Sequence, residues 1–175
     1  KAAIGRVILF GGQSDIGYED DTWSWDGVAW TELHPATSPS RRFGPGGAYD
    51  AARERVVIFG GWTLNGPDND ETWEFDGTTW LQRTPVVAPP GRHDHDMTYD
   101  AARARVVMHG GDWDNGSPRD TWAWDGTEWT LLDDDYYGAK CWDLVYDALH
   151  ADVLMVGCGE NTLRLTAAGW IDAGA

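Results

Sequence analysis

A run of alternating histidine and aspartate is the segment of this sequence best suited to metal chemistry. It reads Arg92-His93-Asp94-His95-Asp96. Successive side chains of an extended strand point to opposite faces, so we expect His93 and His95 on one face and Asp94 and Asp96 on the other. Imidazole binds both zinc and copper, which makes the two histidines candidate metal ligands.

A third histidine joins this segment if the chain turns back between Asp100 and Arg105. Pairing of those two residues would place His109 opposite Asp96. Together with the two histidines above, His109 then forms a candidate transition-metal site, and a metal-dependent oxidase or hydrolase centred on it is one candidate function. The alternative interpretation is an inner strand that lines a polar channel.

A second candidate cation site lies in an acidic loop. Asp112 and Asp114 belong to the run DWDNGS, which is similar to a calcium-binding loop. Its glycine comes one position too early, however, and the glutamate that should close the loop is absent. The alternative interpretation is a solvated turn rich in Asp and Asn. The sequence shows no nucleophile–base pair and no phosphate loop, so no catalytic residue is assigned.

The elements that must position these residues come from a sequence repeated three times, with a fourth, degraded copy. The phrase RVILFGG at Arg6 returns as RVVIFGG at Arg55, as RVVMHGG at Arg105, and weakly as DVLMVGCG at Asp152. The intervals are 49, 50 and 47 residues. A fixed period of this size is typical of repeat architectures.

Each repeat predicts four short strands, as the third copy illustrates. They span 92–100, 105–110, 120–124 and 129–132. The segments are β-branched and aromatic, alternate with period two, and are bounded by Gly, Asp and Pro. The last two strands are joined through Asp-Gly, which favours a hairpin with a type I′ turn. No window has a helical apolar period, so no helix is predicted.

In combination these features resemble the Kelch family of β-propeller repeats, including bacterial Kelch-like and galactose-oxidase-type propellers. The resemblance rests on the glycine pair after the second strand, the aromatic-Asp pair that follows, and the Trp that opens the fourth strand. Arg92, His95, Met97 and Tyr99 fit the family's first strand. The resemblance implies an all-β fold of four-stranded blades around an axis. The copper ligands of galactose oxidase have no counterpart that can be mapped here.

The resemblance implies one domain, residues 1–175, with blades at approximately 1–34, 41–84, 91–133 and 138–175. Blade 1 lacks its first strand, and in blade 4 Cys158 replaces the second glycine. Propellers typically have about four to eight blades. We therefore expect part of a larger ring, a ring completed by another chain, or a strained ring of four blades.

The composition disfavours several classes of partner. The net charge of −16 argues against nucleic acid and anionic membrane surfaces, both of which attract Lys and Arg. No stretch approaches the roughly 20 apolar residues of a membrane span. With 42% hydrophobic residues and 12 Trp, the chain has enough apolar surface for a core.

Two cysteines bear on the compartment. If Asp147 pairs with Asp152, Cys141 lies directly opposite Cys158. A cross-strand disulfide there would imply an oxidising environment, so we expect an extracellular or cell-surface protein. The alternative is a pair of buried, reduced thiols.

Aromatic residues outside the repeat pattern indicate a binding surface. Nine tryptophans recur at repeat positions and are expected to pack between blades, whereas Trp62, Trp113 and Trp142 do not fit the repeat. The predicted strand directions place all three on one face, which Tyr18 and Tyr137 join from loops. Aromatic side chains on loops are typical of ligand recognition, and the alternative is that they cover the core as lids.

The favoured function is therefore non-enzymatic recognition of a protein or a glycan through this face. The ligand-binding residues would be the five aromatic residues above together with Arg42, Arg92 and His93. No cofactor is expected unless calcium or a transition metal binds at the sites described above. An open arc of blades would expose core surface, so we also expect missing blades or a homo-oligomer to complete the ring. A purely structural assembly subunit is a further alternative.

Overall fold

The structure, a computed structural model, describes residues 5–15, 17–64, 69–112, 116–134, 143–158 and 161–174. Every regular element in these ranges is a β-strand, and every strand pair is antiparallel, so the chain is all-β as predicted. In this part of the chain, no helix has the length and apolar composition needed to cross a membrane.

Most strands belong to four consecutive antiparallel sheets, each ordered as in the sequence. Sheet I contains β1 (Val7–Ser14), β2 (Gly17–Trp25) and β3 (Trp30–Leu33). Sheet II contains β5 (Gly46–Asp50), β6 (Arg55–Phe59), β8 (Thr72–Phe75) and β9 (Trp80–Arg83). Sheet III contains β10 (Asp96–Asp100), β11 (Arg105–His109), β12 (Thr121–Trp124) and β13 (Trp129–Asp133). Sheet IV contains β14 (Asp143–Asp147), β15 (Asp152–Cys158), β16 (Asn161–Thr166) and β17 (Gly169–Asp172). A separate ribbon pairs β4 (Arg42–Phe43) with β7 (Trp62–Thr63).

The strands of sheet III test the repeat-based prediction most directly. The last three agree with the predicted limits to within one residue at each end. The first strand is shorter than predicted, because β10 begins only at Asp96. Asp94 has a φ of 52°, in the left-handed region, and therefore interrupts the extended path that alternation from Arg92 assumed. The prediction that His93 and His95 share a strand face is wrong for this reason.

Two predicted strand registers are confirmed. In sheet III, Asp100 pairs with Arg105 and Asp96 with His109. In sheet IV, Asp147 pairs with Asp152. The repeat therefore fixed the residue spacing across both turns correctly.

The turns after the first strands of sheets II to IV share an aspartate and a left-handed residue. The Asp50 carboxylate accepts hydrogen bonds from the backbone N–H groups of Ala52 and Arg53, at 3.1 and 3.0 Å. The residue before the next strand has a positive φ in each turn, and these residues are Glu54 (55°), Ala104 (50°) and Ala151 (57°). A side chain is rarely found in this conformation, which stores local strain.

The Asp-Gly hairpins form, but not as type I′ turns. Trp25 pairs with Trp30 across a four-residue loop, and of the Asp-Gly pair only Gly27 has a positive φ, at 99°. The Asp26 carboxylate instead accepts the N–H groups of Val28 and Ala29 at 2.8 and 2.9 Å. This Asx-type turn uses the side chain where a type I′ turn would use backbone geometry alone.

Adjacent sheets are joined by one recurring side-chain hydrogen bond. A Trp in the first or second position of the last strand of a sheet donates its indole N–H to the Thr that opens the third strand of the sheet before it. The pairs are Trp80 to Thr22 at 3.1 Å, Trp129 to Thr72 at 2.9 Å and Trp170 to Thr121 at 2.7 Å. Sheet I has only three strands, and its counterpart of the third strand is β2. Thr22 lies within β2, directly before Trp23.

The buried apolar side chains lie between these sheets. Three clusters fill the I–II, II–III and III–IV spaces, and their central residues are Trp80, Trp129 and Trp170 respectively. The first strand of sheet III, β10, packs against the first strands of sheets II and IV, β5 and β14. The described residues do not form a closed propeller. Trp30, the counterpart of the three buried tryptophans, is 46% exposed on sheet I.

Candidate functional site

The two arginines predicted to bind a ligand are completely buried. Arg92 donates from Nη1 to the carbonyl of Gly110 at 3.1 Å, and from Nη1 and Nη2 to the two oxygens of Asp120 at 2.5 and 3.0 Å. Its Nε donates to the carbonyl of Pro90 at 3.1 Å. A guanidinium enclosed in this way does not face solvent as a ligand-binding group would need to. Its role is to connect the glycine pair to the third strand of the same sheet.

Sheet II repeats this arrangement with different residues. Arg42 donates from Nη1 to the carbonyl of Gly60 at 2.9 Å and from Nη2 to Glu71 at 2.6 Å. Trp73 donates its indole N–H to the same carboxylate at 2.9 Å. Burial opposes ionisation of Glu71, but the hydrogen bonds from Arg42 and Trp73 outweigh it and lower the pKa of that carboxyl.

The same balance holds in sheet III. Burial disfavours the charged form of Asp120, but the hydrogen bonds and positive charge of Arg92 lower its pKa overall. Arg42 and Arg92 are therefore structural, and the expectation that they form part of the exposed binding surface is wrong. Both arginines and the acids before the Thr-Trp pairs, Glu71 and Asp120, recur at equivalent repeat positions. That recurrence is the sequence signal for an arginine–acid pair within each sheet.

His95 is enclosed between sheets II and III. Its side chain contacts the Phe59 ring, with 5.7 Å between centroids, and both ring nitrogens are buried without a hydrogen-bond partner. Burial, followed by the positive charges of Arg92 and His93, lowers the pKa of His95 to about 3. The imidazole is therefore neutral at neutral pH.

His109 is also neutral, but it is hydrogen-bonded. Its Nδ1 lies 2.9 Å from the Thr121 hydroxyl, which accepts the indole N–H of Trp170. The hydroxyl hydrogen is thus available for Nδ1, so we assign the ring proton to Nε2. Burial lowers the pKa of His109 to about 4.

The three histidines occupy different environments. His93 contacts rings on the loop side, His95 is enclosed beside Phe59, and His109 bonds to Thr121. Within the described residues, no group of three or more His, Cys, Asp and Glu side chains is placed to hold a metal ion. The transition-metal prediction therefore has no geometric support in these ranges, and it stays a prediction.

Of the two predicted calcium ligands, the structure describes Asp112. The Asp112 carboxylate accepts a hydrogen bond from the Ser117 hydroxyl at 2.5 Å, as an Asx-rich turn would provide. Its backbone pairs with His93, through N–H···O contacts of 3.0 and 2.8 Å in the two directions. Asp114 lies outside the described residues.

Four ring side chains, from sheet I, the β4–β7 ribbon and the loop before β10, form a continuous cluster. Trp62 contacts His93 edge-to-face at 5.2 Å, His93 contacts Phe43 at 5.8 Å, and Phe43 contacts Tyr18 at 5.2 Å. Phe43 and Trp62 also pair directly across the β4–β7 ribbon. We call Tyr18, Phe43, Trp62 and His93 the aromatic cluster; all four side chains are partly exposed.

The local sequence explains why the cluster forms. Gly61 has a φ of 97°, and an added Cβ there would lie 3.2 Å from the carbonyl oxygen of Phe43, so glycine allows β7 to approach β4. Asp94 donates its N–H to the carbonyl of Gly44 at 2.8 Å, which brings the His93 loop to the ribbon. The strained φ of Asp94 thus positions His93 against Phe43 and Trp62.

One carboxylate, that of Asp94, lies beside the aromatic cluster. The Asp94 side chain is 52% exposed and lies 4.0 Å from the His93 ring nitrogen. Partly exposed rings beside a hydrogen-bond acceptor can stack on a ligand while the carboxylate binds its hydroxyl or amino groups.

The structure brings together three of the predicted ligand-binding residues, Tyr18, Trp62 and His93. Trp113, Trp142 and Tyr137 lie outside the described residues, as does Cys141, and the side chain of Cys158 is likewise not described. Phe43 was not predicted from the sequence. It follows Arg42 as His93 follows Arg92, so Phe43 occupies a repeat position and did not stand out as an off-repeat aromatic residue. The one signal in the sequence was the Gly44-Pro45 pair that directly follows Phe43.

Comparison of the sequence with known proteins adds no family assignment. No family model matches the chain, and no curated protein is significantly similar to it.

Proposed function

We propose that the four sheets are successive blades of a Kelch-type β-propeller. The support is their equal strand order, the recurring Trp-to-Thr hydrogen bond between neighbours, and the packing of inner strands β5, β10 and β14 side by side. On this proposal the first blade contains three described strands and the others four. The Arg–acid contacts within sheets II and III would hold each inner strand to its own blade.

We further propose that the protein is a non-enzymatic recognition module for a protein or a glycan. The observation that carries this proposal is the aromatic cluster. It is built on β2, the β4–β7 ribbon and the loop before β10, and its four rings are partly exposed next to the Asp94 carboxylate. Rigid aromatic groups on a scaffold lose little side-chain entropy on binding, which suits them to recognition.

The strong negative charge restricts the ligand. A net charge of −16 repels polyanions, so we expect a neutral glycan or a neutral to basic protein surface. Sugar rings present C–H faces for stacking and hydroxyl groups for the carboxylate. A protein partner would insert apolar or basic side chains into the same cluster.

Replacing Trp62 tests the proposal. A glycan array and an affinity screen against purified proteins would supply the ligand, and titration calorimetry would give its affinity. We expect Trp62→Ala to weaken binding at least tenfold, or about 1.4 kcal/mol, because the ring is the largest in the cluster. Leu131→Ala is the control, since Leu131 is 43% exposed on β13, a strand that contributes no residue to the cluster.

Circular dichroism should show that both variants keep the wild-type fold. If Trp62→Ala and Tyr18→Ala both bind as tightly as the wild type, the aromatic cluster is not the binding site.

A further inference from the structure

Sheet I has a strand edge that its three counterparts do not have. In sheets II, III and IV, an inner strand pairs with the strand that precedes the glycine position, as β5 does with β6. The equivalent strand in sheet I is β1, and among the described residues it pairs with β2 alone. An unpaired edge presents a row of backbone N–H and C=O groups to any strand that can reach it.

A cavity of about 360 Å³ lies beside this edge. It is bordered by β1 on one side and by the inner strand of sheet II on the other, through Val7, Ile8, Phe10, Gly47, Ala48 and Tyr49. Elsewhere the inner strands are neighbours, since β10 packs against β5 and against β14. The cavity therefore occupies the position that an inner strand of sheet I would fill.

Outside this cavity, sheet I also has a buried carboxylate oxygen that lacks a donor. Asp21 accepts the indole N–H of Trp23 through Oδ2, but its Oδ1 is buried without a hydrogen-bond partner. The strand registers make Asp21 the counterpart of Glu71 and Asp120, because each acid precedes the Thr that pairs with Phe10, Phe59 or His109. A buried acceptor that lacks a donor is unfavourable and rare in folded proteins.

In the other two sheets this acid is paired with an arginine. Arg42 reaches Glu71 and Arg92 reaches Asp120, in each case from four residues before the inner strand begins. Each arginine also donates to the carbonyl of the first glycine of the pair, Gly60 or Gly110. The counterpart of those two glycines in sheet I is Gly11.

We propose that sheet I is a binding site for an extended polypeptide strand from a partner protein, and that the strand carries an arginine four residues before its first paired residue. The strand adds to β1 through backbone hydrogen bonds and fills the cavity beside β5. Its guanidinium donates to Asp21 Oδ1 and to the Gly11 carbonyl, as Arg42 and Arg92 do in their own sheets. Arginine complements the negative charge of Asp21, and its planar guanidinium can donate to a carboxylate and a carbonyl at the same time.

A synthetic peptide that copies residues 89–100, from Pro89 to Asp100, is a direct probe because it contains Arg92 and the strand β10. We expect it to bind the 175-residue protein with a dissociation constant below about 1 mM. The same peptide with Arg92→Gln should bind at least tenfold more weakly. Hydrogen exchange should show new protection of the β1 amide groups only when the first peptide is present.

The protein variant Asp21→Asn removes the charge but keeps an acceptor for Trp23, and it should weaken the arginine peptide at least tenfold. Asp15→Asn, an exposed change in the turn after β1, is the matched control and should leave affinity unchanged. If Asp21→Asn does not fold, the two peptides still compare arginine with glutamine on the wild-type protein.

Three outcomes would overturn the proposal. One is no binding at millimolar peptide, and another is equal binding of the arginine and glutamine peptides. The third is protection of the β1 amides that rises with protein concentration without peptide and persists in Trp30→Ala, which would place a second copy of this chain at the edge.

Discussion

His95 is a buried imidazole without a hydrogen-bond partner, and this makes stability depend on pH. Its pKa is lowered to about 3 in the folded protein from an ordinary value of 6.5. Protonation therefore favours the unfolded chain, and the stability contributed by neutral His95 is complete above pH 6.5 and is lost as pH falls toward 3. His109, with its pKa lowered to about 4, acts in the same direction.

We expect the free energy of unfolding to decrease by about 2 kcal/mol for His95 between pH 7 and pH 5. The charged groups near the His95 ring are Arg92, His93 and Asp120. Arg92 and His93 lower its pKa further, whereas Asp120 raises it. Urea denaturation at pH 5 and pH 7 measures it.

The variant His95→Leu should reduce that pH dependence, whatever its stability at pH 7. His34→Leu is the control, because the His34 side chain is 82% exposed. An unchanged difference between pH 5 and pH 7 in His95→Leu would show that His95 is not the group responsible.

Residue-level prediction from the sequence succeeded where the repeat fixed position and failed where environment decided role. The register that places His109 opposite Asp96 follows from spacing and is confirmed. The burial of Arg42 and Arg92 could not be inferred from their charge alone, because a buried ion pair and an exposed ligand-binding arginine look alike in one sequence. The left-handed Asp94 could not be inferred either, since it bonds to the carbonyl of Gly44, which is distant in sequence and lies between β4 and β5.

At the scale of elements, the tight turns between the first two strands of sheets II to IV offer a stability test. Ala104 has a φ of 50°, which a side chain disfavours, and it is exposed. We expect Ala104→Gly to stabilise the protein by about 0.5–1 kcal/mol, because glycine adopts this conformation without strain. Thermal and urea denaturation of the variant measure the change.

Ala102→Gly supplies the comparison in the same turn. Ala102 is exposed and does not have a positive φ, so added chain flexibility should destabilise the protein by about 0.5–1 kcal/mol. Equal effects of the two substitutions would contradict the assigned backbone conformation.

The sequence predicted the existence, order and most limits of these strands, because alternation and turn residues are local signals. It did not predict the Asx-type geometry at Asp26, where a side chain replaces the backbone geometry of the expected turn. It also missed the β4–β7 ribbon, because its two short strands are brought together by a glycine pair and not by any pattern of their own.

At the scale of the whole molecule, sheet I has an unused counterpart of the Trp in the Trp-to-Thr hydrogen bond, and sheet IV has a counterpart of the Thr. Trp30 is the counterpart of Trp80, Trp129 and Trp170, yet it is exposed at the end of the described array. On sheet IV, Leu163 pairs with Met155 as Trp122 pairs with Met108, so Thr162 is the counterpart of Thr121. Val7 and Leu9 on sheet I are also exposed, at 57% and 45%.

We therefore expect copies of the 175-residue protein to associate head to tail, with Trp30 of one copy donating to Thr162 of the next. Two copies would give about eight blades, within the range of known propellers. Light scattering should report a mass above the 19.4 kDa of one chain. The variant Trp30→Ala should shift the distribution to the monomer, whereas Leu131→Ala should not.

A monodisperse 19.4 kDa species of the wild-type protein at all concentrations would contradict this expectation. Whether the sheets belong to a closed ring, and of how many blades, stays a prediction with several alternatives, because a repeated sequence specifies how neighbouring units pack but not how many units there are.

The Trp-to-Thr hydrogen bond has a consequence for how such a chain can change over generations. The three junctions between the described sheets use the same pair of positions, so they share this contact. Stability in arrays of this kind is approximately a sum over units and the junctions between them. A duplicated or deleted unit would meet a junction it already fits, and gene copies of different length would remain foldable without compensating mutations elsewhere.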